Sequence, residues 1–241
     1  MSGNTKRIIL LVATVAGFLF ASAATAQTRD ENADRCKGDD PDLAIGACTA
    51  LIQSGQETNE GLAIAYNNRG SAYTNKGDYD HALSDLNEAI TLNPNYATAF
   101  YNRAIVYNDG KHDTQRAIQD YDQAIQFKPD YDSAYNNRGS AYDDLGQYDR
   151  AIQDYNEALR LKPDFGMAFT NRGVAYRHLH QYAKALPDYD EALRLDSSKP
   201  NRWANRCWAK LLLHRLPDAL KDCEASLKRK RCFDPTCFVG V

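Results

Sequence analysis

Five asparagine–arginine pairs begin at Asn68, Asn102, Asn137, Asn171 and Asn205, at intervals of 34, 35, 34 and 34 residues. An asparagine amide carries both donors and acceptors, so a regular row of five can act as a hydrogen-bonding ladder. The arginine that follows each one, Arg69, Arg103, Arg138, Arg172 or Arg206, has an aspartate sixteen or seventeen residues later: Asp85, Asp120, Asp154, Asp188 or Asp222. A guanidinium and a carboxylate recurring at fixed separation read as a structural ion pair joining two elements of one repeat. Catalytic chemistry has no comparable pattern. The histidines His81, His112, His178, His180 and His214 read as scattered over non-equivalent repeat positions, and none stands beside a serine or cysteine in a nucleophile motif. The carboxylates recur with the repeat rather than forming one unique pair, and no glycine-rich phosphate loop is present. The sequence therefore predicts a non-enzymatic chain with no catalytic residue and no cofactor.

The six cysteines carry a second kind of chemistry. Cys36 and Cys48 lie near one end, Cys207, Cys223, Cys232 and Cys237 near the other, and none falls between 49 and 206. An even count confined to the ends suggests disulfides that staple the termini of the fold. Proximity favours Cys36–Cys48, Cys207–Cys223 and Cys232–Cys237. A zinc site is disfavoured by the absence of C-x-x-C and of paired histidines at ligand spacing, so no metal is expected. An oxidising compartment agrees with the N-terminus. There Lys6 and Arg7 precede an apolar run, Ile8 to Phe20, and small residues end at Ala24-Thr25-Ala26, the pattern of a cleaved secretory signal peptide. The apolar run is shorter than the ~20 residues a spanning helix needs. The mature chain is expected to begin at Gln27, to have no membrane span, and to be exported, periplasmic if bacterial and otherwise secreted. Loss of Lys6 and Arg7 moves the formal charge from -3 to about -5. With one short basic run, Lys228 to Arg231, nucleic-acid binding is disfavoured.

These residues sit in a 34-residue repeat. Ala65-Tyr-Asn-Asn-Arg-Gly-Ser-Ala-Tyr73 recurs almost unchanged at 134–142, with variants at 100–107, 169–176 and 203–208. Tyr66, Arg69, Gly70 and Tyr73 recur at i, i+3, i+4 and i+7, one face of a helix, and Ala82, Leu83, Leu86, Ala89 and Ile90 do the same for a second helix. Gly77 and Pro94 mark the helix ends. The chain divides into a leader at 1–26, an N-terminal segment at 27–62 and five units at 63–96, 97–131, 132–165, 166–199 and 200–231, followed by a tail at 232–241. Asp42 to Ile52 reads as a second helix without its first, capping the N-terminal end.

With aromatic, Gly, Tyr, Ala and Pro at these spacings, the chain resembles a tetratricopeptide repeat protein over Ala63 to about Arg231. That resemblance implies an all-α, right-handed α-solenoid of helix–turn–helix repeats. Departures are one extra residue around Asp109–Asp113, Pro187 inside a second helix, Ser197 in place of Pro, and Cys207 and Lys210 in place of Gly and Tyr in a terminal unit. The resemblance further implies that first helices line a concave groove, whose stripe in the first repeat would be Ile64, Asn68, Ser71 and Asn75. On this reading the five asparagines bind the backbone of an extended peptide; the alternative is that they cap or bridge neighbouring helices. The family's carboxylate clamp would need Lys or Arg where Asn67, Ser71, Asn102, Ser133 and Asn137 stand, so it is absent. Asp109, Asp143 and Asp144 favour a neutral or basic protein or peptide as partner. Trp208 and Leu212 would either hold an apolar ligand side chain or be covered by the tail through Phe233, Phe238, Val239 and Val241. The rival roles are an assembly or export adaptor using the outer surface, and an envelope scaffold without a peptide ligand.

Overall fold

A computed structural model describes residues 28–231; the leader, the tail, Cys232 and Cys237 lie outside the described residues. Twelve α-helices follow one another: α1 (Arg29–Cys36), α2 (Pro41–Ser54), α3 (Asn59–Asn75), α4 (Tyr79–Leu92), α5 (Ala97–Ile105), α6 (Thr114–Phe127), α7 (Asp132–Asp144), α8 (Tyr148–Leu161), α9 (Gly166–His178), α10 (Tyr182–Leu195), α11 (Pro200–Leu212) and α12 (Leu216–Arg231). Each helix packs mainly on its neighbours in sequence, and the first helices of successive repeats also touch one another, as α3 does α5, α7 does α9, and α9 does α11. The result is an all-α solenoid.

Local chemistry sets the boundaries. Thr28 and Glu31 form a capping box on α1; Asp40, Thr58, Asp78 and Asp113 cap α2, α3, α4 and α6 through their side chains. The turn inside each repeat needs a left-handed residue, and Gly77 (φ 76°) and Gly146 (φ 72°) supply it. In the other three repeats the same position is His112, His180 or His214, at φ 53°, 58° and 58°. Three of the five histidines are thus equivalent, contrary to the sequence reading. Their conserved spacing was hidden because glycine and histidine alternate there.

The extra residue of the second repeat is absorbed where α5 widens into a π turn, Val106–Gly110, which overlaps the segment Asp109–Asp113 where the sequence placed it. Upstream, α2 does have a first helix, the short α1, so the N-terminal segment is a truncated repeat rather than a lone second helix. Pro187 is accommodated on the exposed side of α10, which runs unbroken to Leu195.

Inside each repeat the two helices meet at a small residue against a large one. A Cβ added to Gly139 would lie 2.7 Å from Tyr155, one added to Gly173 2.6 Å from Tyr189, and one added to Gly70 2.8 Å from Leu86. Leu86, Tyr155 and Tyr189 are at most 1% exposed. Position by position, the terminal repeats replace this pair with Cys36–Cys48 and Cys207–Cys223. Both are disulfides, with Cα–Cα distances of 4.8 and 5.4 Å. A covalent bond therefore takes the place of the interlocking contact in the first and last of the described units. Closing loops of this size is worth ~3 kcal/mol each.

Candidate functional site

The arginines lie inside the repeats. In all five, Nε and Nη2 donate to the two carboxylate oxygens of one aspartate, at 2.6–2.9 Å: Arg69 to Asp85, Arg103 to Asp120, Arg138 to Asp154, Arg172 to Asp188 and Arg206 to Asp222. The arginine side chains are 17–21% exposed and the aspartates 4–9%. Each guanidinium also lies 5.1–5.6 Å from the ring three residues before it, Tyr66, Phe100, Tyr135, Phe169 or Trp203.

A third contact was missed from sequence. Each Nη1 reaches back to the second helix of the preceding unit: to Thr49, Asn87, Asp122, Asn156 and Asp190, at 2.6–2.9 Å. The last four stand sixteen residues before their arginine, a spacing that was open to inspection. Each arginine thus joins two helices of its own repeat to a third from the repeat before. Burial works against the charge of Arg138, but its bonds to Asp154 and Asp122 outweigh that and hold its pKa above the ordinary arginine value.

The asparagine ladder runs along the first helices and is half-buried. Its members bridge consecutive repeats. Asn102 Nδ2 donates to Asn67 Oδ1 (2.9 Å), Asn137 to the Tyr101 hydroxyl (3.0 Å) and Asn171 to Asn136 Oδ1 (3.1 Å), while Asn68 approaches Cys36 Sγ at 3.9 Å. The acceptors are deep: Asn67 is 3% and Asn136 2% exposed, so Asn67 does not lie on the open face where the sequence reading placed it. In the fourth repeat the acceptor position is Thr170, whose hydroxyl bonds Gly166 O instead, and Asn205 has no such bridge among the described residues. The bridges of Asn102 and Asn171 use one amide hydrogen each, leaving the other and the carbonyl oxygen without a protein partner among the described residues.

Six residues after the ladder, a second row varies from repeat to repeat. Asn108 Oδ1, Asp143 Oδ1 and Arg177 Nε are buried there without a hydrogen-bond partner among the described residues. Burial raises the Asp143 pKa, with relief from His178 and a further push from Asp144; burial and Asp109 raise that of Asp144. At the far end Arg177, His178, His180, Tyr182, Trp208 and Leu212 line a pocket of about 350 Å³. Trp208 is 58% exposed, and the tail segments proposed to cover it lie outside the described residues. Among the described residues no cluster of three or more metal-ligating side chains occurs, and no helix is long and apolar enough to cross a membrane.

A solenoid of helix pairs with a polar wall of first helices defines a protein–protein interaction module. The tetratricopeptide repeat pattern matches residues 63–96, 133–165 and 167–199, and the TPR repeat pattern matches 113–146; the chain belongs to the tetratricopeptide repeat family. No curated protein matches it in sequence. Among solved structures it is similar to MamA of Desulfovibrio magneticus RS-1 (20% identity, TM-score 0.65, covering 71% of this chain and 97% of that one). It is similar also to PilF of Pseudomonas aeruginosa (20%, 0.67, 72% and 78%). A third is YrrB, described as a TPR protein with an unusual peptide-binding site (19%, 0.62, 80% and 95%). At these identities the likeness is one of fold.

Proposed function

We propose that the chain binds an extended peptide or protein segment along a concave groove formed by its first helices, in an exported compartment. The observation that carries this reading is the amide ladder. Bridging bonds hold the Asn102 and Asn171 amides in fixed orientation, so their free oxygen and hydrogen are already ordered for a ligand backbone, and the entropy of fixing them has been spent on folding. The uniform ladder sets register, and the variable row of Asn108, Asp143 and Arg177 beside it reads side chains. Asp109, Asp143 and Asp144 favour neutral or basic segments at the middle of the groove. YrrB lends the fold a precedent for peptide binding. Two disulfides fit an oxidising location, as do the leader-like residues at the N-terminus.

Peptide arrays of neutral, lysine-rich and acidic composition, probed with the purified disulfide-bonded protein, test the proposal. Neutral and lysine-rich peptides are expected to be retained and acidic ones not. Replacing Asn102, Asn137 and Asn171 together by Ala should weaken retention about tenfold, or ~1.4 kcal/mol, with helical circular dichroism kept. Unchanged retention by that variant, or equal retention of acidic peptides, would overturn the reading.

A further inference from the structure

The stripe of the first helices that carries the asparagine ladder changes character along the solenoid. Three residues after each ladder asparagine stand Ser71, Ile105, Ser140, Val174 and Trp208, and seven after it Asn75, Asp109, Asp144, His178 and Leu212. These offsets lie on the same helix face as the ladder. The middle of the stripe is acidic, with Asp143 beside Asp144. One repeat on, the sign reverses, because Arg177 and His178 hold the positions of those two aspartates. Beyond them Trp208 and Leu212 are 58% and 43% exposed, and they form the apolar wall of the 350 Å³ pocket between α9, the turn into α10 and α11. Its cationic wall has capacity to spare. Arg177 has no carboxylate within 4 Å among the described residues, unlike the five repeat arginines, and its Nε is buried without a hydrogen-bond partner there. Its Nη2 lies 3.5 Å from His178 Nε2, and the His178 ring is held 4.8 Å from that of Tyr148, with Nδ1 3.2 Å from the Tyr148 hydroxyl.

Resting on the peptide-binding reading above, we propose that this pocket anchors an aromatic side chain of the bound segment, next to an acidic residue that pairs with Arg177 and His178. An aromatic ring placed against the Trp208 indole and Leu212 gains by burial, and the neighbouring guanidinium adds a cation–π contact. The carboxylate meets the donors that Arg177 does not spend inside the protein. The order of contacts along the groove then defines a ligand: a basic residue over Asp143 and Asp144, an acidic one at Arg177 and His178, an aromatic one at Trp208. Packed helices lie about 8–10 Å apart and an extended chain advances about 3.3 Å per residue, so each repeat spans about three ligand residues. The acidic residue therefore stands about three positions from the basic one, and the aromatic residue about six.

Fluorescence anisotropy on the disulfide-bonded full chain tests this with a labelled peptide carrying Lys-Ser-Ser-Glu-Ser-Ser-Phe between serine flanks, and with the same sequence reversed. Both are needed because the pocket fixes the order of the three contacts and not the chain direction. In one direction at least, the peptide is expected to bind about tenfold more tightly than its counterpart with Ser for Phe, and than its counterpart with Lys for Glu. Trp208→Ala should abolish the preference for Phe, and Arg177→Gln the preference for Glu, with helical circular dichroism kept. Equal affinity for all the peptides in both directions overturns the inference, as do preferences that persist in both variants. If the triple asparagine variant still weakens such unselective binding, the groove reading stands without the anchor; no binding of any peptide overturns both. Preferences that emerge only after removal of residues 232–241 also overturn the inference, by making the tail the occupant of the pocket in the natural chain.

Discussion

Arg138 ties three helices together through three partners, Asp154, Asp122 and the Tyr135 ring, and it is more than four-fifths buried. Removing it strands the buried Asp154 carboxylate without its partner, so Arg138→Ala should cost ~3 kcal/mol or more, whereas removing Arg160 from its exposed pair with Glu157 should leave the denaturation midpoint nearly unchanged. Chemical denaturation of the two variants checks the contrast. Asp143 has the opposite sign. Its folded pKa is raised, chiefly by burial, so the folded state binds its proton more tightly than the unfolded chain does. The resulting penalty is absent below the ordinary aspartate range and is fully present above the raised value. Asp143→Asn should therefore raise the melting temperature at neutral pH, with the gain shrinking as pH falls toward the carboxylate range. Melting curves of both proteins against pH would show it. The same substitution should reduce retention of lysine-rich peptides.

At the scale of helices, the small-against-large contact decides how closely each pair can approach. Gly139 in α7 faces Tyr155 in α8 with no room for a methyl group, so Gly139→Ala should cost ~1–3 kcal/mol despite the gain in helix propensity. Thermal denaturation measures the balance; a stabilised variant would mean that the helices separate freely. The terminal disulfides occupy the corresponding position at both ends. Reducing Cys207–Cys223 should accordingly loosen α11 and α12 before the central repeats, and hydrogen exchange with and without reductant should find protection lost first in those two helices. The left-handed turn residue is a milder constraint. Histidine tolerates it at three of the five turns, with His180 packing edge-on to Tyr182 beside its own turn.

Over the whole molecule, stability is distributed along one dimension. Each arginine links its repeat to the one before it, and each of Asn102, Asn137 and Asn171 does the same along the first-helix wall, so coupling between units is polar as well as apolar. Among the described residues the first helix is short and polar, whereas the last carries the exposed Leu216, Leu220 and Leu227. A molecule built this way can present a long ordered surface from local contacts alone, which suits the holding of an extended partner.

The repeat period, the helix pairing and the arginine–aspartate spacing could all be read in the sequence, because a solenoid writes its tertiary contacts as a constant offset along the chain. Residues sixteen or thirty-four apart become neighbours in every unit, so periodicity stands in for three-dimensional proximity. What broke the period was harder to read. The short α1 has no sequence signature of a first helix, since it lacks the aromatic and glycine residues of the full repeats. The histidine turns hid behind a change of residue type at a constrained backbone position. Only the tertiary structure decided how deep each polar atom lies. An asparagine at the same repeat position can bridge two helices or lack that bridge among the described residues depending on whether the position facing it in the preceding repeat is Asn136, Tyr101 or Thr170, and a leucine buried at one unit is exposed thirty-four residues later, where no further repeat helix packs on it among the described residues. Exposure depends on what comes next in space, and at the last repeat the chain's own period no longer says what that is.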